Sequence, residues 1–116
     1  MRYFRAITVV PSAARTANGD STTSPILDMD LTNELILTLN VSAVSGTSPS
    51  LTVTLIYYDE NTDQWFPIAS YTAKTTVGQE TLRLSGIFGK KLAAKWTITG
   101  TSVSFTFSVS GYAAER

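Results

Sequence analysis

Residues 44–55 read VSGTSPSLTVTL, and residues 98–109, ITGTSVSFTFSV, repeat much of that pattern. Aligned without gaps, the two segments share Gly-Thr-Ser and then a serine and a threonine at matching positions. A Gly-Thr-Ser sequence that leads into alternating apolar and hydroxyl residues is typical of a turn entering a β-strand. The repeat therefore predicts two similar hairpins, each with its second strand in the repeated segment.

Alternation along these segments indicates which side chains face the core. The predicted core residues of the repeats and of the strand before the second one are Leu51, Val53, Leu55, Tyr57, Leu92, Ala94, Trp96, Ile98, Phe105, Phe107 and Val109. Leu35 to Ala43 also alternate, whereas Val44 breaks the phase. A β-bulge at residues 42–44 restores the phase, although a strand buried on both faces also tolerates the extra apolar residue.

Threonine, serine, β-branched and aromatic residues dominate the chain, and helical periodicity is missing. About eight strands are expected from the patterns and the turn residues between them. Their ranges are 3–10, 25–31, 35–44, 51–58, 64–72, 80–84, 91–99 and 103–112. The sequence therefore predicts an all-β protein: a single antiparallel β-sandwich domain over residues 1–116, with jelly-roll or immunoglobulin-like topology.

Length and composition limit the kinds of protein that this chain can be. The 116 residues suit one domain, and the absence of cysteine excludes a disulfide-stapled scaffold. Nine basic residues balance nine acidic ones, which favours neither nucleic acid nor an anionic membrane as a partner. No run approaches the ~20 apolar residues of a membrane span, and the short apolar run near the start fits a strand better than a signal peptide. A soluble protein of cytosolic origin is expected.

Residues 11–24, PSAARTANGDSTTS, form the longest stretch without an apolar pattern. Loops of this length are uncommon inside compact domains. One interpretation is a solvated crossover between sheets. The other is that residues 1–24 form an N-terminal strand and a mobile arm, which lets strand 3–10 pair with a neighbouring subunit.

The residue types that carry most enzyme chemistry are missing. Histidine and cysteine are both absent, which removes the usual general base, the activated thiol and the common zinc ligands. Asp59, Asn61 and Asp63 open a calcium-loop pattern, but Gln64 and Ser70 replace its glycine and its glutamate, so a polar hairpin tip is expected. A second acidic cluster is expected on a solvated sheet face: Asp28, Asp30 and Glu34. The sequence predicts no enzyme, no cofactor and no metal site, with acid chemistry by paired aspartates as a remote alternative.

Aromatic residues crowd the predicted hairpin of strands 51–58 and 64–72. Because neighbours in a strand alternate between faces, Tyr57 and Tyr58 do not enter the same core, and neither do Trp65 and Phe66. One member of each pair is expected to face outward or into a second layer. Such an exposed aromatic patch suggests a protein interface or a sugar platform, while ordinary packing under a loop is a further alternative.

Two longer stretches, NVSAVSGTSPSLTVTLIYYDENTDQWF and AAKWTITGTSVSFTFSVSGY, resemble a family of small β-sandwich virion proteins of tailed bacteriophages. In that family a V-S-G-T-S-P-[ST]-L-x-V-T segment is followed by a W-[FY] strand, and W-T-[IV]-x-G-T-x-x-S-F-T-F-S-V completes the pattern. The resemblance covers roughly residues 35–112, and residues 1–34 fit it weakly.

The resemblance implies a non-enzymatic structural component of the virion. Together with the small size, the neutral charge and the lack of catalytic residues, it favours a capsid decoration (cement) protein, made in the host cytoplasm and located on the phage head surface. It would bind the major capsid protein and stabilise joints between capsid subunits as a homo-oligomer, a trimer or a dimer. The alternatives are a tail or head-tail connector component and a carbohydrate-binding module. The candidate interface residues are Tyr3, Phe4, Arg5, Arg15, Ile56, Tyr58, Trp65 and Phe66.

Overall fold

A computed structural model of the chain describes residues 3–86 and 88–115, and every regular element in these ranges is a β-strand. The strands are β1 (Tyr3–Arg15), β2 (Gly19–Asp20), β3 (Thr32–Asp59), β4 (Gln64–Ser70), β5 (Gly78–Ser85) and β6 (Leu92–Glu115). The all-β prediction is therefore confirmed. This part of the chain contains no helix of the length and apolarity needed to cross a membrane.

The strands form one antiparallel sheet in the order β1-β6-β3-β4, with β2 also paired to β6 and β5 also paired to β3. The two long central strands pair with each other from Thr32 opposite Glu115 to Tyr57 opposite Leu92. Their length gives each of them different neighbours at its two ends. At one end the local order is β1-β6-β3-β5, and at the other it is β2-β6-β3-β4.

The repeated segments do not form the two predicted hairpins. Ranges 35–44 and 51–58 belong to the single strand β3, and ranges 91–99 and 103–112 belong to the single strand β6. The described residues consequently contain six strands rather than the eight expected. The repeats instead pair with each other, since β3 and β6 continue their ladder through both of them.

Positive backbone angles explain how each Gly-Thr-Ser segment bends a strand without ending it. Gly46 and Gly100 have φ angles of 107° and 121°, which glycine adopts at little cost. Ser48 and Ser102, two residues later, are also left-handed, with φ angles of 51° and 52°. The β3–β6 register shifts on both sides of Thr47, as expected for inserted residues that bend a strand.

Two other predicted segments differ from the structure. Range 25–31 is not a strand: Ile26 makes one isolated bridge with Leu92, and the positive φ of 58° at Asp28 interrupts extended backbone. Half of range 11–24 is strand rather than loop, because β1 continues to Arg15 and β2 pairs with β6. The extension of β1 to Arg15 and the short strand β2 both lie at the border of the sheet, where a strand needs no alternating apolar pattern.

The predicted core alternation is confirmed except at Tyr57, which is half-buried and lies outside the buried cluster. One buried cluster contains Leu51, Val53, Leu55, Leu92, Ala94, Phe105, Phe107 and Val109, with Trp96 and Ile98 packed partly buried against it. Leu35, Leu37, Leu39 and Val41 join the same cluster from the other end of β3. The register shifts between Val41 and Ala43, so the predicted bulge is present. A single core therefore contains side chains from both ends of β3 and from both ends of β6.

Candidate functional site

The predicted aromatic hairpin exists, and it connects the end of β3 to β4. Tyr57 pairs with Phe66 and Tyr58 pairs with Trp65, next to a tip formed by residues 60–63. Alternation brings Tyr58 and Trp65 to one face, while Tyr57 and Phe66 share the face of the buried Leu55. The expected separation of the aromatic pairs onto two faces is confirmed, and all four rings are half-buried.

The outward pair is held in a fixed arrangement. The ring centroids of Tyr58 and Trp65 lie 5.4 Å apart at an interplanar angle of 59°, a favourable tilted geometry. Lys91 Nζ lies 4.8 Å from the centroid of the Tyr58 ring, within cation–π range. The Tyr58 hydroxyl donates a hydrogen bond to Asp63 Oδ1, which raises the pKa of Tyr58. Contacts on two sides thus orient the Tyr58 ring.

Hydrogen bonds within the tip use its acidic side chains. Asp59 Oδ1 accepts bonds from the backbone N–H of Asn61 at 3.0 Å and from its side-chain amide at 3.1 Å. Asp59 Oδ2 accepts a bond from the Thr62 hydroxyl at 3.0 Å. The bond from the Asn61 backbone lowers the pKa of Asp59. This is the polar hairpin tip predicted by the sequence, and residues 3–86 and 88–115 contain no group of three acidic side chains suited to a metal ion.

A cleft of about 540 Å³ lies beside the hairpin. Its lining combines aromatic rings with charged and amide groups: Asp30, Tyr57, Tyr58, Asp59, Glu60, Asn61, Ile68, Gly89 and Lys90. Lys90 Nζ lies 3.4 Å from Glu60 Oε1, and both side chains are more than half exposed. The cleft and the Tyr58–Trp65 pair give this end of the molecule a mixed aromatic and polar surface.

Arg5, a predicted interface residue, binds within its own chain. Its Nη2 donates to the carbonyl oxygens of Leu27 at 2.7 Å and Asp28 at 3.1 Å. Its Nε lies 3.1 Å from Glu115 Oε1, an ion pair without hydrogen-bond geometry. Arg5 therefore connects β1 to the segment before β3 and to the end of β6.

Arg15, in the segment that was predicted as an arm, also binds within its own chain. Its Nη1 donates to the Phe107 carbonyl at 3.2 Å, and its Nη2 donates to the Pro11 carbonyl at 2.9 Å. The guanidinium carbon lies 4.9 Å from the Trp96 ring centroid and 4.8 Å from that of Phe107. Partial burial lowers the pKa of Arg15. These contacts hold Arg15 against Trp96 and Phe107.

The remaining predicted residues have different surroundings. Phe4 is 70% exposed, whereas Ile56 is only 4% exposed and therefore lies beneath the surface. Tyr3 begins β1, and its side chain lies outside the described part of the structure. Of the eight candidates, the structure thus brings Tyr58 and Trp65 together at the surface, with Phe66 on the opposite face of the same hairpin.

A second aromatic patch was not predicted as a whole. Phe4 and Tyr112 line a cleft of about 380 Å³ together with Ile36 and Arg83. Tyr112 is 55% exposed and pairs with Ile36 across the sheet. The sequence does indicate that the Tyr112 side chain faces outward, because Tyr112 alternates in phase with Ser108 and Ser110 on the polar face of its strand.

No protein-family model, curated protein or solved structure matches this chain.

Proposed function

We propose that this protein is a non-enzymatic virion component of a tailed phage, which decorates the outer surface of the head and binds the major capsid protein. The observation that carries the proposal is the outward Tyr58–Trp65 pair at the β3–β4 hairpin. Tyrosine and tryptophan are enriched among the residues that dominate protein–protein binding energies. The resemblance of residues 35–112 to phage virion proteins supplies the identity of the partner.

The fixed geometry of the aromatic pair suits it to binding. Ordering a flexible side chain on association costs roughly 0.5–1.5 kcal/mol. Tyr58 is already oriented by Trp65, Lys91 and Asp63, so little of that cost remains. When a partner covers the two rings, their apolar surface leaves water without a large loss of side-chain freedom.

The polar groups around the hairpin support a binding role over catalysis. The carboxylate of Asp59 accepts bonds that shape the tip, and Asp63 accepts the Tyr58 hydroxyl bond. The chain has no histidine or cysteine to serve as base or nucleophile. The carboxylates of Asp59 and Asp63, the remaining candidates for acid chemistry, are engaged in the bonds that shape the hairpin.

The finer architecture that we propose is a β-sandwich, in which the two ends of the bent sheet face each other as layers. Trp96 and Phe107 belong to opposite ends of β6, yet their ring centroids lie 5.6 Å apart in an edge-on contact. The hydroxyl of Tyr71, just after β4, donates to the Leu37 carbonyl at 2.8 Å. These contacts cross between the two ends of the sheet and support a layered arrangement.

A decoration role would rest on many small interfaces. Each copy would cover a joint between capsid subunits, and binding to the assembled shell alone would stabilise that assembly by mass action. Copies that engage more than one capsid subunit would gain further affinity through multivalency. The proposal therefore requires binding to assembled heads and no catalytic turnover.

Co-sedimentation with empty heads of the encoding phage tests this proposal. We expect saturable binding at a copy number comparable with that of the shell protein, and Trp65→Ala should weaken it at least tenfold. Tyr112→Ala, which removes an exposed aromatic ring elsewhere, is the matched control and should bind normally. Binding of a single ring of copies would instead support the tail or head-tail connector alternative, and no binding would reject both.

A carbohydrate-binding module is the second candidate, and the cleft of about 540 Å³ beside Tyr57 and Tyr58 favours it. Sugar rings stack on exposed aromatic faces, and neighbouring amide and acidic groups accept or donate hydrogen bonds. A glycan array with wild-type protein and Tyr58→Ala tests this candidate. Binding that Tyr58→Ala abolishes would support it, while an array without signal together with head binding would dismiss it.

A further inference from the structure

Strand β5 forms a regular border of the sheet. It pairs with β3 over eight consecutive residues without a register shift, from Gly78 opposite Val41 to Ser85 opposite Glu34. Within residues 3–86 and 88–115, β5 pairs with no other strand. Its second edge therefore has backbone groups available to another strand.

The hydrogen-bond pattern identifies which backbone groups lie on that edge. Gly86 N–H donates to the Asn33 carbonyl at 3.1 Å, and this pair continues the β3–β5 register. In an antiparallel ladder, directly opposed residues alternate between bonded and non-bonded pairs. The even-numbered residues of β5 consequently bond toward β3. The N–H and C=O groups of Gln79, Thr81, Arg83 and Ser85 point away from it.

Other border strands carry features that discourage pairing. Strand β4 contains Pro67, which has no N–H to donate. Strand β1 contains Pro11 and shifts its register twice along β6. Proline and bulges are common protections of exposed sheet edges. Strand β5 has neither proline nor a bulge, and its one inward-facing charged residue, Glu80, is neutralised by an ion pair with Lys74. Compared with β1 and β4, this edge is therefore the better suited to strand addition.

We propose that two copies of this protein associate by antiparallel pairing of their β5 strands about a two-fold axis at Leu82. The two sheets would then form one continuous sheet across the dimer. Residues of β5 whose backbone groups point away from β3 must lie opposite residues of the same kind in the second copy, because these groups form the bonds between the copies. The two-fold axis therefore passes through a residue of β5 and not through a peptide bond. The possible axes near the middle of the strand are at Thr81, Leu82 and Arg83.

Charge and apolar matching select Leu82 among these axes. With the axis at Leu82, this residue meets Leu82 of the second copy, and Arg83 meets the Thr81 of that copy. The axes at Thr81 and at Leu82 both oppose Glu80 with a leucine, but of these two only the axis at Leu82 adds a Leu–Leu pair at its centre. An axis at Arg83 would oppose two arginines. Like charges directly opposite each other destabilise a sheet, whereas apolar pairs stabilise it by roughly 0.2–1 kcal/mol.

Two further properties of the chain favour a second copy as the occupant. Leu82 is only partly buried against the core, so its remaining surface is available to a partner. The N–H and C=O groups of Leu82 bond toward β3, so Leu82 and Leu82 of the second copy would form a non-hydrogen-bonded pair. In such pairs the two side chains lie closer together than in hydrogen-bonded pairs. The chain has nine basic and nine acidic residues, so two copies approach without net repulsion.

Proline substitution on the edge tests the association in solution. Thr81→Pro removes an N–H that points away from β3, and it should convert a dimer to a monomer in analytical ultracentrifugation. Thr81→Val is the matched control: both variants lose the hydroxyl contact of 2.8 Å with Thr38, but only the proline variant loses the N–H. The valine variant should remain dimeric. A monomeric wild-type protein, or a Thr81→Pro variant that folds and remains dimeric, would overturn the proposal.

Cross-linking of single-cysteine variants tests the axis, and it does not depend on the folding of the proline variant. Because the chain has no cysteine, Leu82→Cys introduces one thiol per copy. Non-hydrogen-bonded pairs lie within reach of a disulfide, so mild oxidation should link Leu82→Cys dimers several-fold more than Leu84→Cys dimers. Preferential linking of Leu84→Cys, Thr81→Cys or Arg83→Cys would contradict an axis at Leu82. These measurements use the isolated protein, so their failure would leave the proposed capsid binding untouched.

Discussion

Thr47 lies directly opposite Thr101 in the β3–β6 ladder, and these two threonines hold the same position in the repeated Gly-Thr-Ser segments. A local two-fold relationship therefore connects the two strands. It extends to their neighbours: β4 beside β3 corresponds to β1 beside β6, and β5 beside β3 corresponds to β2 beside β6. The sequence repeats because both central strands bend at the same level of the sheet.

The bend predicts a strong requirement for glycine at position 100. A Cβ there would lie 2.7 Å from the Ser48 carbonyl oxygen, and φ is 121°. We expect Gly100→Ala to lower the free energy of unfolding by about 2–4 kcal/mol in urea denaturation. Gly78→Ala is the control, because nothing lies within 4 Å of its Cβ, and it should change stability by less than about 0.5 kcal/mol. Equal effects of the two substitutions would contradict the bend.

Arg15 should contribute to the stability of the isolated protein. Arg15→Ala removes its bonds to the Phe107 and Pro11 carbonyls and its stacking on Trp96, so we expect a loss of roughly 1–2 kcal/mol in urea denaturation. Arg15→Lys should recover only part of this, because an ammonium lacks the forked donor geometry. A mobile arm, the alternative from the sequence, predicts no change for either variant.

Tyr71 should make stability fall at alkaline pH. Burial raises the pKa of its hydroxyl above the ordinary value of about 10, so the folded state retains a proton that the unfolded state releases. Its contribution to stability is complete below pH of about 10 and decreases above it, by at most about 1.4 kcal/mol per pH unit.

Comparison with Tyr71→Phe isolates this effect, because the other tyrosines occur in both proteins. At neutral pH the variant should lose about 1 kcal/mol, since the bond to the Leu37 carbonyl disappears. The stability difference should shrink as pH rises above about 10. A difference that stays constant with pH, in guanidinium denaturation, would contradict the buried hydroxyl.

Asp59 should shape the hairpin tip without calcium. Asp59→Ala removes bonds from Asn61 and Thr62, and we expect a loss of about 1 kcal/mol in the free energy of unfolding. Added calcium should leave the thermal midpoint of the wild-type protein unchanged and give no heat in titration calorimetry. Saturable calcium binding that Asp59→Ala abolishes would show instead that the carboxylate is a ligand.

Alternation in the sequence predicted the core because burial of a strand face imposes a period of two. Leu51, Val53, Phe105 and Phe107 are all fully buried. The hairpins were wrong because the local signal is the same for a turn and for a bend: Gly-Thr-Ser with positive φ. Pairing with a distant strand decides between the two, and a sequence window contains no information on that pairing.

The site was only partly predicted from the sequence, and the reason for the missing part is similar. Cross-strand pairing of Tyr58 with Trp65 follows from a short tip between two strands, and both residues were expected at the surface. Arg5 and Arg15 were predicted as interface residues, and the structure adds bonds that the sequence does not reveal, because both donate to carbonyl groups far along the same chain. Long-range contacts of this kind, and the burial of the Ile56 side chain, depend on tertiary structure rather than on local pattern.

Cryo-electron microscopy of the virion of the encoding phage is the most direct test of the proposed function. We expect ordered density for this β-protein on the outer surface of the head, with the β3–β4 hairpin and its Tyr58–Trp65 pair against the shell protein. Heads that lack this density, or density confined to the tail or its connector, would contradict it.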